Sequence, residues 1–257
     1  MNLSLVFKQH ISIDKEPWSE NTAIQMVLDV LRLYPNEWWK YPVIIYYLKH
    51  KKESAFENNF LIFLRKLCLE LIIRYIEYST IYGIKNSVLK LDIGILTSQT
   101  PEISFAKEKQ IKDTSADIIV PNNQKVLRML LALLAYQHPG QKELLPDNWE
   151  IEHILPRKYQ NNYFTDIPDD EVKKKLEHIG NKVAAEKKTK ISAGNGYFAK
   201  KQAKYKEFSK VASVLDLASR ESADWTLEDI EKRDREVSAL LIQTFTEWDE
   251  KYRQASS

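Results

Sequence analysis

Residues 149–156, WEIEHILP, set Trp149, Ile151, His153 and Leu155 against Glu150, Glu152 and Ile154. That alternation has the period of a β-strand, and Pro156 closes it because proline cannot donate to a ladder. Further along, Asn181 to Ala185 reads as a second short strand. Between the two, DDEVKKKLEH (169–178) is the pattern of a short helix closed by Gly180 at its C′ position. Gly194-Asn195-Gly196 is a sharp break. Tyr197 to Leu217 follows as a helix, with Phe198, Tyr205, Phe208, Val211, Ala212 and Leu215 among its apolar positions. The order is strand, strand, helix.

Away from this segment, the pattern is helical. Asn21 to Tyr34 carries Ile24, Val27, Leu28, Leu31 and Tyr34 on one stripe, with Asn21 as N-cap and Pro35 as stop. Pro42 is placed to open a helix over VIIYYLKHK. Ser54 to Thr80 is periodic through Phe56, Phe60, Phe63, Leu64, Leu67, Leu71, Ile72 and Tyr75. Ser79 to Leu96 is ambiguous, broken by Gly83 and Gly94, and residues 97–123 are polar, with room for one short element. Gln124 to Gln137 is apolar and helical, and His138-Pro139-Gly140 marks a turn. Thr226 and Asp229 form a capping-box pattern opening a last helix through Trp248. The expected fold class is mainly α (α+β), with a helical domain over residues 1–140 and a strand–strand–helix domain with C-terminal helices over 141–257.

Composition narrows the class. Of 257 residues, 44% are hydrophobic, enough for a core in one large or two smaller domains. No apolar run reaches the length of a bilayer span, and the first residues lack the pattern of a signal peptide. Cys68 is the single cysteine, which excludes an internal disulfide and a Cys-based zinc knuckle. The chain therefore reads as cytoplasmic. Its net charge of +2 hides a basic block: residues 182–210 hold nine Lys against Glu186 and Glu207, a net of +7. Such a block is either a surface for polyanions or a solvated lysine face.

The strand–strand–helix segment brings together an acid, an imidazole and two amides near its turns: Glu152, His153, Asn181 and Asn195. A neutral imidazole takes a proton from water near neutral pH. A carboxylate and an amide oxygen are hard donors suited to magnesium or manganese. A second amide can fix a loop by hydrogen bonds, and lysines on the helix can hold phosphates. Each residue also has a bland reading: buried strand histidine, turn asparagine, helix cap. Only the joint occurrence favours chemistry.

WEIEHILP (149–156), IGNKV (179–183), AGNGYFAKK (193–201) and Tyr205 together resemble an HNH, or ββα-metal, nuclease module. The segment is similar in particular to the C-terminal nuclease domain of GmrSD-type restriction endonucleases. WTLEDIEKR (225–233) and Trp248 resemble the helix that follows it there, and the preceding helices resemble that family more weakly. The resemblance implies a metal-dependent DNA endonuclease of a restriction or anti-phage system that leaves 5′-phosphate and 3′-hydroxyl ends. His153 would be the general base and Asn181 would orient its loop. Glu152 and Asn195 would hold Mg2+ or Mn2+. Lys190, Lys200, Lys201 and Lys204 would face nucleic acid. The resemblance also implies a separate nucleotide-processing, ParB-like subunit or domain, for which these residues hold no phosphate-loop motif. In one place the chain departs from the family: nine residues beyond Asn181, where an Asn is common, it has Lys190. A protonated lysine cannot ligate a metal, although its charge can stand near a phosphate. The alternatives are a catalytically degenerate HNH module acting as a nucleic-acid-binding or assembly subunit, and a helical interaction protein.

The remaining histidines read as structural: His10 in an unpatterned stretch, His50 at a helix end, His138 in a turn and His178 at a helix C-terminus. Trp38, Trp39, Tyr46 and Tyr47 read as core.

Overall fold

The computed structural model describes residues 17–78, 82–98, 101–106, 109–159, 164 and 167–255. His10 and the first stretch of the chain lie outside them. The protein is mainly α-helical, with one small antiparallel strand pair, and it divides into two compact units. One comprises residues 1–113 and 243–257, the other residues 114–242. This division falls earlier than the boundary expected at residue 140. The apolar helix Gln124–Gln137 lies with the strands, where it packs against the second of them.

In the first unit, α1 (Thr22–Arg32) begins where Asn21 Oδ1 accepts from the amides of Ala23 and Ile24. That satisfies two of the N–H groups a helix start leaves unpaired. α2 (Lys40–His50) carries Pro42 within its first turn, where its missing N–H costs nothing. α3 (Phe56–Glu77) is buried along most of its length and packs against both. Tyr46 stacks on Phe63 with ring centroids 4.1 Å apart. Trp39, Tyr46 and Tyr47 are core as expected, whereas Trp38 is only half-buried, stacked on Tyr41. The ambiguous stretch resolves into a 3-10 turn (Tyr82–Ile84) and α4 (Lys85–Thr97). Cys68 is fully buried on α3. His50 is buried against Glu53.

The second unit opens with α5 (Ser115–Ile119) and α6 (Gln124–Gln137), the latter capped by Asn123 Oδ1. Next come β1 (Trp149–His153), α7 (Asp169–Leu176), a 3-10 turn (Ile179–Asn181) and β2 (Lys182–Glu186). The strands pair antiparallel with Trp149 opposite Glu186, Glu152 opposite Val183 and His153 opposite Lys182. α8 (Lys187–Ala193), α9 (Phe198–Phe208), α10 (Ala212–Ala218) and the first part of α11 (Leu227–Ala255) complete it. No helix among the described residues is long and apolar enough to cross a membrane.

Three local expectations change. Gly180 is not a left-handed C′ residue; among the described residues the positive-φ glycine is Gly194, at φ 53°. Gly180 sits in the 3-10 turn because a Cβ there would lie 2.3 Å from the Ile230 carbonyl oxygen. A seven-residue helix, α8, intervenes between β2 and the Gly194–Gly196 break. The helix expected over Tyr197 to Leu217 is two helices. It breaks where Glu186, the last residue of β2, accepts from the Lys210 amide at 2.6 Å and the Ser209 hydroxyl at 2.8 Å. A carboxylate from another element offers that amide a partner which helix continuation would otherwise supply. The capping box holds: Thr226 N donates to Asp229 Oδ2 and Asp229 N to Thr226 Oγ1.

Candidate active site at the strand pair

The strand pair and the helices after it enclose a cleft of about 440 Å3 in the second unit. Glu150, Ile151, Glu152 and His153 of β1 line it, with Lys182 of β2, Lys190 of α8, Asn195, and Lys201 of α9. The cleft thus gathers His153, Glu152, Lys190, Asn195 and Lys201. Lys200 and Lys204 are not among its lining residues. Lys200 lies against Gly196, and Lys204 pairs with Glu207 at 2.8 Å.

His153 ends β1 mostly buried, with its side chain 14% exposed. Its Nε2 accepts from Arg157 Nε at 3.1 Å. The acceptor role places the ring proton on Nδ1, an assignment made from the hydrogen bond. Burial, then the charges of Arg157 and Lys182, push its pKa from 6.5 down to about 3, against the opposing pull of Glu177. The ring is held neutral. Glu177 binds Arg157 at 3.0 Å and Lys182 at 2.9 Å, so it organises the cations beside the imidazole.

Asn181 is fully buried directly beneath this strand end. Its Oδ1 accepts from the Leu155 amide at 2.7 Å, and its Nδ2 donates to the carbonyls of Leu155 and Leu176 at 3.0 and 3.1 Å. The Ile154 amide donates to the Asn181 carbonyl at 2.9 Å. The two residues after His153 are therefore tied to this one asparagine.

The asparagine is itself held from α11, a support the sequence did not reveal. Asp234 accepts from the Gly180 amide and from His178 Nδ1, both at 2.7 Å. Arg233 donates to the carbonyls of Ile179, Gly180 and Lys182. The two residues lie more than fifty positions from the turn they clamp; Arg233 ends the stretch WTLEDIEKR, but nothing in the local pattern gives either residue this role. His178 thus serves the turn and does not line the cleft.

Glu152 is buried, and its Oε1 accepts from Lys201 Nζ at 2.6 Å and from the Tyr205 hydroxyl at 2.9 Å. Lys201 also donates to the His153 carbonyl. Lys201 is 1% exposed, so it is an interior partner of a carboxylate and not the surface contact to nucleic acid that was expected. Opposite, Lys190 pairs loosely with Glu150 at 3.4 Å, and both are about two-fifths exposed. Asn195 is exposed in the Gly194–Gly196 turn.

These donors do not fit a magnesium or manganese ion held by Glu152 and Asn195. Such an ion needs several oxygen ligands in near-octahedral array. Here the one buried carboxylate already carries an ammonium and a hydroxyl. Five cationic side chains, Arg128, Arg157, Lys182, Lys190 and Lys201, line the cleft against two carboxylates. Among the described residues, no group of three or more His, Cys, Asp or Glu side chains is arranged to hold a metal.

No curated protein matches the chain. A family model described as GmrSD restriction endonucleases, C-terminal domain, matches residues 105–240, more than half of the length. Its span takes in both strands, the cleft and the clamp from α11. The chain belongs to the family of GmrSD restriction endonuclease C-terminal domains.

Proposed function

We propose that the chain is an HNH-type endonuclease that hydrolyses DNA phosphodiester bonds at the Glu152–His153 end of β1. The observation that carries this reading is a neutral histidine at a cleft where cations outnumber carboxylates, on a loop that a buried asparagine holds in place. In the proposed step, a water oxygen bonds to phosphorus and passes its proton to His153. The bond from phosphorus to the 3′ oxygen breaks, and that oxygen takes a proton from solvent while His153 returns its own. The products are a 5′-phosphate and a 3′-hydroxyl.

Arg157 occupies the imidazole lone pair in the free chain, so it must leave before proton transfer. An arriving phosphate supplies the reason, because a guanidinium binds phosphate oxygens in a bidentate fork. Its departure also removes the nearest positive charge and raises the basicity of the ring. Asn181 would act as a positioning residue throughout. The biological setting proposed is a restriction or anti-phage system, with nucleotide processing carried by a ParB-like partner subunit or domain.

A second reading rests on Lys190, which replaces the Asn common in the family: a module that binds nucleic acid without cleaving it. Nicking assays separate the two. Supercoiled plasmid and modified phage DNA would be incubated with the chain in magnesium, in manganese and in chelator, beside His153→Ala. Nicking by the native chain that is lost in His153→Ala, with duplex binding retained, is the expected result. Binding without nicking of either DNA under every condition would leave the second reading; equal nicking by His153→Ala would remove His153 from the mechanism.

A further inference from the structure

We propose that the cleft holds a DNA phosphate through Lys190 and Arg157, with Lys201 neutralising Glu152, and that no divalent cation takes part. The inference rests on the reading of the cleft as a phosphodiester site.

A divalent ion in a nuclease offers concentrated positive charge to the phosphate oxygens and cancels the carboxylate that would repel them. In this cleft both tasks already have side chains. The Glu152 charge is cancelled from within by Lys201, whose ammonium lies 2.6 Å away and is sealed from solvent. A magnesium ion at Glu152 would have to displace that ammonium or sit beside it at the cost of cation–cation repulsion. The second task falls to Lys190 and Arg157. Both are partly exposed, both line the cleft, and both are held by carboxylates at the rim, Glu150 and Glu177, from which a phosphate can draw them. Surface pairs of this kind are weak, so exchanging a carboxylate for a phosphate costs little. The exposed face of the cleft is then a phosphate cradle, and the buried pair beneath it is its counterweight.

Two measurements on the full chain test this. In the first, Mn2+ is titrated into the chain and its electron paramagnetic resonance signal is read. The expected result is a signal matching free ion; one stoichiometric Mn2+ per chain, abolished by the exposed-site variant Asn195→Ala, overturns the proposal. In the second, binding of an end-labelled DNA duplex of about 20 base pairs is followed by fluorescence anisotropy at matched ionic strength. Affinity should be no tighter with magnesium than with chelator. Lys190→Ala should weaken it several-fold and reduce the salt slope by about one. Tighter binding with magnesium, or Lys190→Ala binding like the native chain, overturns it.

The nicking assay keeps the two readings apart. Metal-free binding with no nicking under any condition defeats the hydrolysis reading and leaves this one standing. Nicking only with magnesium leaves hydrolysis standing and defeats this one.

Discussion

The ammonium of Lys201 lies 2.6 Å from Oε1 of Glu152, with both side chains excluded from solvent and the Tyr205 hydroxyl completing the contact. The pair ties α9 to β1 and fixes the electrostatic character of the cleft. Removing one member of such a pair leaves an uncompensated charge in the interior. Lys201→Ala is expected to destabilise the second unit by about 3–5 kcal/mol. The double variant Glu152→Gln with Lys201→Met should recover most of that loss, because Gln still accepts from Tyr205 and no charge remains. Urea unfolding of the two variants and the native chain measures it; equal destabilisation of both would show that packing, and not charge, dominates.

Asn181→Ala removes the acceptor of the Leu155 amide and two donors, and leaves that amide buried without a partner. The expected cost is about 2–4 kcal/mol. Hydrogen exchange gives the local readout: the Leu155 amide should lose protection well beyond the change in global stability. If Leu155 exchanges no faster than the rest of the second unit, the asparagine does not hold the loop.

Two glycines should separate steric crowding from backbone strain. A Cβ on Gly180 would meet the Ile230 carbonyl at 2.3 Å and Asp234 Oδ1 at 2.6 Å. The first is backbone, as is the Asp234 amide nitrogen at 2.9 Å, so Gly180→Ala should cost about 3 kcal/mol or more and push α11 off the turn. Gly194 has open space, with Ile191 O at 3.8 Å as its near neighbour, but a φ of 53°. With a ψ of −141° this is extended backbone of positive φ that glycine alone adopts readily, and Gly194→Ala should cost roughly 1–3 kcal/mol. Thermal unfolding of both variants orders them, and a Gly180→Ala change as mild as Gly194→Ala would contradict the close packing.

Acid should act through His153. Its folded pKa lies near 3, below the ordinary 6.5, because burial and the cations of Arg157 and Lys182 disfavour the imidazolium. Between those values the unfolded chain binds a proton that the folded chain refuses, so stability falls as pH drops through that window. His153→Asn should lessen this loss. Comparing urea midpoints at about pH 7 and about pH 4.5 for native and variant chains measures it. An unchanged difference would place the acid sensitivity elsewhere.

Much of the architecture was legible in local patterns, because local chemistry decides it. The Asn21 and Asn123 caps, the Thr226–Asp229 box, and the alternation from Trp149 to His153 act within a few residues of themselves. The break of the expected long helix at Ser209 was not legible, because its cause is Glu186, over twenty residues away.

Neighbouring residues were enough for most of the order of elements, for the family, and for the EH and GN residues on which the proposed chemistry rests. What surrounds them came from packing across the fold. It turned Lys201 from a surface cation into the interior partner of Glu152, left Lys200 and Lys204 outside the cleft, and brought Arg233 and Asp234 onto the turn that carries Asn181. The physical reason is range. A strand or a cap is written in neighbours along the chain, whereas the charge of a buried group is set by whatever the fold places within a few ångströms of it, from any distance in sequence.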